Sequence, residues 1–104
     1  MFRNPFRKHN LSLEELKAVV EPIAHRNNVL SVSLFGSRAR GDYSPDSDYD
    51  FLIDVPDDYT FSQYLAFTDQ LSERLGTKVD VVTRRSLKDN GFSRTVIQEE
   101  VFVC

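Results

Sequence analysis

Residues 36–54, GSRARGDYSPDSDYDFLID, decide the fold. Gly36 and Ser37 make a turn at the end of one apolar run, and Asp48 and Asp50 open a second run through Phe51, Leu52 and Ile53 to Asp54. Between them lies an arginine-bearing loop with Arg38 and Arg40. Ser37 to Arg40 can form a short helical turn, and residues 41–46, GDYSPD, are turn chemistry throughout. A phosphate cradle and two carboxylates therefore sit within one short segment.

Upstream, Leu30, Val32 and Leu34 alternate with Val29, Ser31, Ser33 and Phe35, which predicts an interior strand over 29–35. Before it, Ser12 and Glu15 have capping-box spacing, and Leu13, Leu16, Val19, Val20, Ile23 and Ala24 share one helical face. Pro22 removes a backbone donor, so a kink or an early stop is expected there, with the helix over by Asn27 and Asn28. Residues 1–10 lack periodicity and read as an irregular arm whose Phe2 and Phe6 dock on the body.

Downstream, Phe61, Tyr64, Leu65, Thr68, Leu71 and Leu75 mark a second amphipathic helix that ends at Gly76. Lys78 to Thr83 is a third strand, with Val79 and Val81 on one face and Asp80 and Val82 on the other. Residues 86–100 suggest a short helix with Val96 and Ile97 inward, followed by the apolar run Val101 to Val103. Phe92 and Phe102 read as core. The order predicts a small α/β or α+β sheet covered by helices, without internal repeats.

At 104 residues the chain is expected to be one domain. It buries about two thirds of its unfolded surface, too little for a second lobe around a large substrate. A net charge of −3 and a pI near 5.3 argue against a non-specific nucleic-acid or membrane-surface binder. Cys104 is the sole cysteine. Neither a signal-peptide core nor a membrane span is visible, so a reducing, cytoplasmic setting is expected.

Asp48 and Asp50, two apart on a strand, leave the same face with Cα atoms about 6.5–7 Å apart. If the third strand lies beside the second, Asp80 joins them. Three bare carboxylates ~5 Å apart repel by roughly 3 kcal/mol per pair at an effective dielectric of 20, so such a cluster calls for a cation. An all-oxygen set open to phosphate suits Mg²⁺, and Mn²⁺ as well. Gly36 lets the backbone approach a phosphate, while the Ser37 hydroxyl and nearby amides donate to it. Arg38 and Arg40 are placed to neutralise triphosphate charge. Both cannot point the same way from one turn, and Arg38 is favoured.

Each feature alone has an ordinary explanation as a solvated charge, an ion pair or a strand-ending glycine. Their joint order is what points to one site. A calcium loop fails because Phe51 and Asp57 stand where glycine and glutamate are required, and no Gly-Lys-Ser/Thr phosphate loop is present.

Gly36-Ser37, ten residues, Asp48-x-Asp50 and a later strand aspartate, Asp80, together resemble the nucleotidyltransferase superfamily that includes DNA polymerase beta. The short chain and the form Phe-Gly-Ser-Arg-Ala-Arg-Gly narrow the likeness to the minimal nucleotidyltransferase (MNT) domains. The resemblance implies a polymerase beta-like mixed sheet flanked by helices, occupying residues 1–104 as a single domain. It further implies Mg²⁺ held by Asp48, Asp50 and Asp80, a triphosphate on Gly36 and Ser37, and Asp80 as the base toward the acceptor.

Stand-alone MNT proteins include antitoxins that add AMP from ATP to a tyrosine of a HEPN ribonuclease toxin. The resemblance thus implies an adenylyltransferase antitoxin with a HEPN partner. The alternatives are a non-catalytic antitoxin that occludes its toxin and a small-molecule (antibiotic) nucleotidyltransferase.

Overall fold

The computed structural model describes residues 11–44 and 46–104. The expected N-terminal arm lies outside the described residues, as does Pro45. Helix α1 (Leu13–Arg26) starts at the Ser12–Glu15 capping box, in which the Ser12 hydroxyl accepts from the Glu15 N–H and the Glu15 carboxylate accepts from the Ser12 N–H. It runs on past Pro22, which stands exposed, so the early stop allowed for there does not occur. Burial of Leu16, Val19, Val20, Ile23 and Ala24 outweighs the one missing backbone bond.

Strand β1 (Ser31–Phe35) leads through Gly36 into the four-residue helix α2 (Ser37–Arg40), and strand β2 (Tyr49–Asp54) follows. Helix α3 (Phe61–Leu75) begins at a second capping box, Thr60 with Gln63, and ends at Gly76 in the left-handed conformation. Then come strand β3 (Val79–Thr83), a 3₁₀ turn at Arg84–Ser86, helix α4 (Gly91–Glu99) capped by Asn90, and the short strand β4 (Val101–Phe102).

These strands form one mixed sheet in the order β3-β2-β1-β4. β1 runs antiparallel to β2 and β4, whereas β2 and β3 are parallel, α3 being the crossover between them. Alternation then assigns two faces. Val32, Leu34, Tyr49, Phe51, Ile53, Val79 and Val81 pack with α1 and α3 into the main core, which Phe67, Leu71 and Leu75 complete. Phe35 and Leu52 face the other way, against Val96 of α4.

Several apolar positions fall on the opposite side from the one expected. Phe61 and Leu65 are exposed while Phe67 is buried, and in α4 Ile97 is exposed while Val96 and Ser93 are buried. Phe92 and Phe102, expected in the core, are both exposed. No helix among the described residues is long and apolar enough to cross a membrane. The small mixed sheet flanked by helices agrees with the expected polymerase beta-like architecture.

Candidate active site

The second sheet face carries the acidic residues. In the parallel β2–β3 ladder Asp50 stands directly beside Asp80, and both project away from the main core. Neighbouring strands lie about 4.8 Å apart, so carboxyls in register on one face are brought into mutual contact. Two like charges so placed disfavour each other's ionised form. Burial pushes the Asp50 carboxyl up to about 6, and its interaction with Asp80 and the charge of Asp48 act in the same direction. Arg40 opposes them.

Gly36 forms the wall next to Asp50. Phe35 pairs with Asp50 in the β1–β2 ladder, so the turn after β1 passes over the start of β2. Gly36 has φ 74° and ψ −157°, a region open only to glycine, and its carbonyl accepts from the Ala39 and Arg40 amides to start α2. A Cβ at residue 36 would collide with Asp50 Oδ2.

Gly36, Ser37, Arg40, Asp50 and Asp80 line one cavity of about 710 Å³, closed on its far side by Phe92, Thr95, Val96 and Glu99 of α4. Arg40 spans its mouth, donating to both Glu99 oxygens at 3.1 and 3.0 Å and to Asp42 at 3.1 Å. Sequence reasoning missed the α4 residues. Asn90 as a helix cap was the available signal for that helix, but nothing local shows that it folds back over the carboxylates.

Arg38 requires a correction. Expected to meet phosphate, it is buried on the opposite side of α2, its guanidinium 4.4 Å from the Tyr43 ring centroid and 4.3 Å from that of Tyr49. It donates to the carbonyls of Ser44 and Ser47, so it holds the loop between α2 and β2. Tyr49 points into the main core, and a side chain stacked on it cannot reach the carboxylate face. Arg40 is the arginine that reaches it.

Asp48 occupies a middle position. The β2 ladder begins at Tyr49, so Asp48 is not held in the sheet, and its charge bears on Asp50 although it does not line the cavity. Among the described residues no group of three acidic, histidine or cysteine side chains is arranged to hold a metal ion. The pair Asp50 and Asp80 nevertheless has the chemistry that Mg²⁺ takes: two carboxylate donors whose mutual repulsion a cation relieves, open to further oxygens from a phosphate ligand.

At the far end of the same face, about 13 Å along β2 from Asp50, Asp54 accepts from Arg84 at 3.0 Å and from Ser31 at 2.6 Å. Arg84 also grips Glu100 through two bonds of 2.9 and 2.6 Å. This clamp ties the ends of β2, β3 and α4 and leaves the Asp50–Asp80 pair outside it.

Comparison with known proteins shows the family. The family model described as polymerase beta, nucleotidyltransferase matches residues 17–104. The chain is 33% identical over 97 residues to the protein adenylyltransferase MntA of Thermococcus cleftensis, spanning 89% of this chain and 97% of that protein. A solved structure assigned as a minimal nucleotidyltransferase superposes with a TM-score of 0.72 at 30% identity, covering 88% of this chain and 96% of the other. A complex of the tri-AMPylated Shewanella oneidensis HEPN toxin with its MNT antitoxin matches with a TM-score of 0.67 at 17% identity, over 89% of this chain and 72% of that one. The last is a likeness of fold.

Proposed function

The chain belongs to the polymerase beta nucleotidyltransferase family, and from that premise we propose that it is a single-domain antitoxin that transfers AMP from ATP to a tyrosine hydroxyl of a HEPN ribonuclease toxin. The observation that carries the reading is the Asp50–Asp80 pair, set beside the Gly36–Ser37 turn and Arg40 in one cavity.

In this reading Gly36 and Ser37 cradle the triphosphate, with the Ser37 hydroxyl donating to it. Arg40 exchanges Asp42, which is exposed, and Glu99, which is partly buried, for phosphate oxygens. Asp50 and Asp80, with Asp48 beside them, would hold Mg²⁺ or Mn²⁺ once phosphate oxygens complete the shell, and the ion would offset charge on the transferred group and on the leaving pyrophosphate.

Asp80, exposed on the edge strand, accepts the proton of the acceptor hydroxyl. The hydroxyl oxygen then bonds to the α-phosphorus while the bond from that phosphorus to the bridging oxygen breaks. The electron pair leaves with pyrophosphate, and the product is an AMP phosphodiester. A stably docked protein partner supplies the orientation of the acceptor. The adenylyltransferase relative and the AMPylated complex support the choice of AMP and of the partner. A sole cysteine suits a cytoplasmic setting.

The test is mass spectrometry of the cognate HEPN toxin after incubation with this protein, ATP and Mg²⁺. AMP adducts are expected with the wild type and absent with Asp50→Asn or Asp80→Asn, while both variants still co-purify with the toxin. Full neutralisation of the toxin in cells by the doubly substituted variant would overturn transfer as the mechanism and leave occlusion.

A further inference from the structure

A second cavity, of about 470 Å³, lies where the start of α3 meets β3 and the 3₁₀ turn, and the reading above leaves it unused. Its walls include Tyr59, Phe61, Tyr64, Val82, Thr83 and Arg85. The Phe61 and Tyr64 rings stack with centroids 6.0 Å apart, and Phe61 is 73% exposed. The Tyr64 hydroxyl donates to the Val81 carbonyl at 2.8 Å, which locks that ring across the strand edge. The Tyr59 hydroxyl is buried without a hydrogen-bond partner among the described residues. Aromatic and apolar walls of this kind are the make-up of a ligand pocket.

Its position relative to the carboxylates gives it a use. Tyr64, Val81 and Val82 line both cavities, so the two are continuous around β3. Crossing the sheet from β1 to β3, one meets Gly36 at the end of β1, Asp50 on β2, Asp80 on β3, and then this pocket. In phosphoryl transfer the attacking and leaving oxygens lie roughly in line. Ser37 and Arg40 hold the leaving pyrophosphate on the β1 side, so the attacking oxygen arrives from the β3 side.

We propose that this pocket is the acceptor subsite, which seats the ring of a tyrosine presented by the protein partner and delivers its hydroxyl past the β3 edge to Asp80. The inference rests on the nucleotidyl-transfer reading above. The phenol proton passes to the Asp80 carboxylate and the phenol oxygen bonds to the α-phosphorus of the nucleoside triphosphate. The bond to the bridging oxygen breaks and pyrophosphate takes the electron pair. Phe61 and Tyr64 offer the ring an aromatic stack. A serine or threonine would leave both rings uncovered, so the pocket selects a phenol.

The test follows backbone amide shifts of the isotope-labelled protein with Mg²⁺ and AMP-PNP, while N-acetyl-tyrosinamide is titrated in. AMP-PNP is expected to move residues 36–40, and N-acetyl-tyrosinamide to move residues 59–64 and 82–85. N-acetyl-serinamide should move neither. Phe61→Ala is expected to weaken the tyrosinamide about three- to tenfold by removing one ring of the stack, with AMP-PNP affinity unchanged. Leu65→Ala, also exposed on α3, is the control and should change neither. If AMP-PNP itself moves residues 59–64 and loses affinity in Phe61→Ala, the pocket takes the nucleobase and the proposal is overturned. It is equally overturned if N-acetyl-tyrosinamide moves nothing there up to its solubility limit. A failure of the nucleotidyl-transfer reading shows separately, as AMP-PNP leaving residues 36–40 unmoved.

Discussion

Gly36 lies so close against the Asp50 carboxylate that the smallest side chain at residue 36 would overlap Oδ2. The phosphate-side turn and the central carboxylate are thus one packed unit. Gly36→Ala meets that collision and also places a side chain in a glycine-only backbone region, at a cost of about 1–3 kcal/mol. The expected result is a lower melting temperature together with a loss of AMP-PNP binding. Unchanged nucleotide affinity would show that the turn and Asp50 do not act together.

The two arginines of α2 should separate stability from binding. Arg38→Ala removes a buried guanidinium sandwiched between Tyr43 and Tyr49 and its bonds to two carbonyls, costing about 2 kcal/mol or more. Arg40→Ala is expected to leave the melting temperature where it is and to weaken AMP-PNP several-fold, more at low salt than at high. Urea titration and calorimetry of both variants check the contrast, and an equal loss of nucleotide affinity in the two would contradict it.

Glu99 competes with the triphosphate for Arg40. Glu99→Gln removes that ion pair and one negative charge from the cavity wall, so AMP-PNP should bind up to about fivefold tighter, the size of an exposed pair. Weaker binding would mean that Glu99 itself serves the nucleotide.

Glu100 supplies a pH test remote from the carboxylate pair. Its double hydrogen bond from Arg84 holds its carboxyl below the usual value of 4.5. A carboxyl depressed in the folded state adds stability above its unfolded pKa and loses it as pH falls through the folded one. Melting temperatures between pH 7 and pH 3 should therefore show Arg84→Met least stable relative to wild type near neutrality. The two curves should converge below about pH 4.5. A gap that stays constant down to pH 3 would show that the clamp acts by packing alone.

Local signals were the legible part of the fold. Ser12 with Glu15 places the start of α1, Gly76 the end of α3, and alternation in residues 79–83 assigns Asp80 to the face opposite Val79 and Val81. Such signals depend on neighbours within one turn or one pleat. Less legible was which side of a helix turns inward when apolar residues surround it: Phe61 and Leu65 were read on the inward face and Phe67 was not, and only packing in the main core separates them. Arg38 and Arg40 present the same limit on one turn, since the ring of Tyr49 that draws Arg38 away comes from another strand.

What the sequence determined by itself was the set of elements and the kind of chemistry: a Gly-Ser turn, an acidic strand start and a lone strand aspartate, each set by side chains adjacent along the chain. What only the tertiary structure decided was which of them meet. The parallel β2–β3 ladder puts Asp80 beside Asp50 rather than Asp48, α4 closes the cavity with Glu99, and the β3 edge meets Phe61 and Tyr64. These contacts join residues far apart in the chain, and they follow from register and from burial of the main core, quantities that no local spacing encodes.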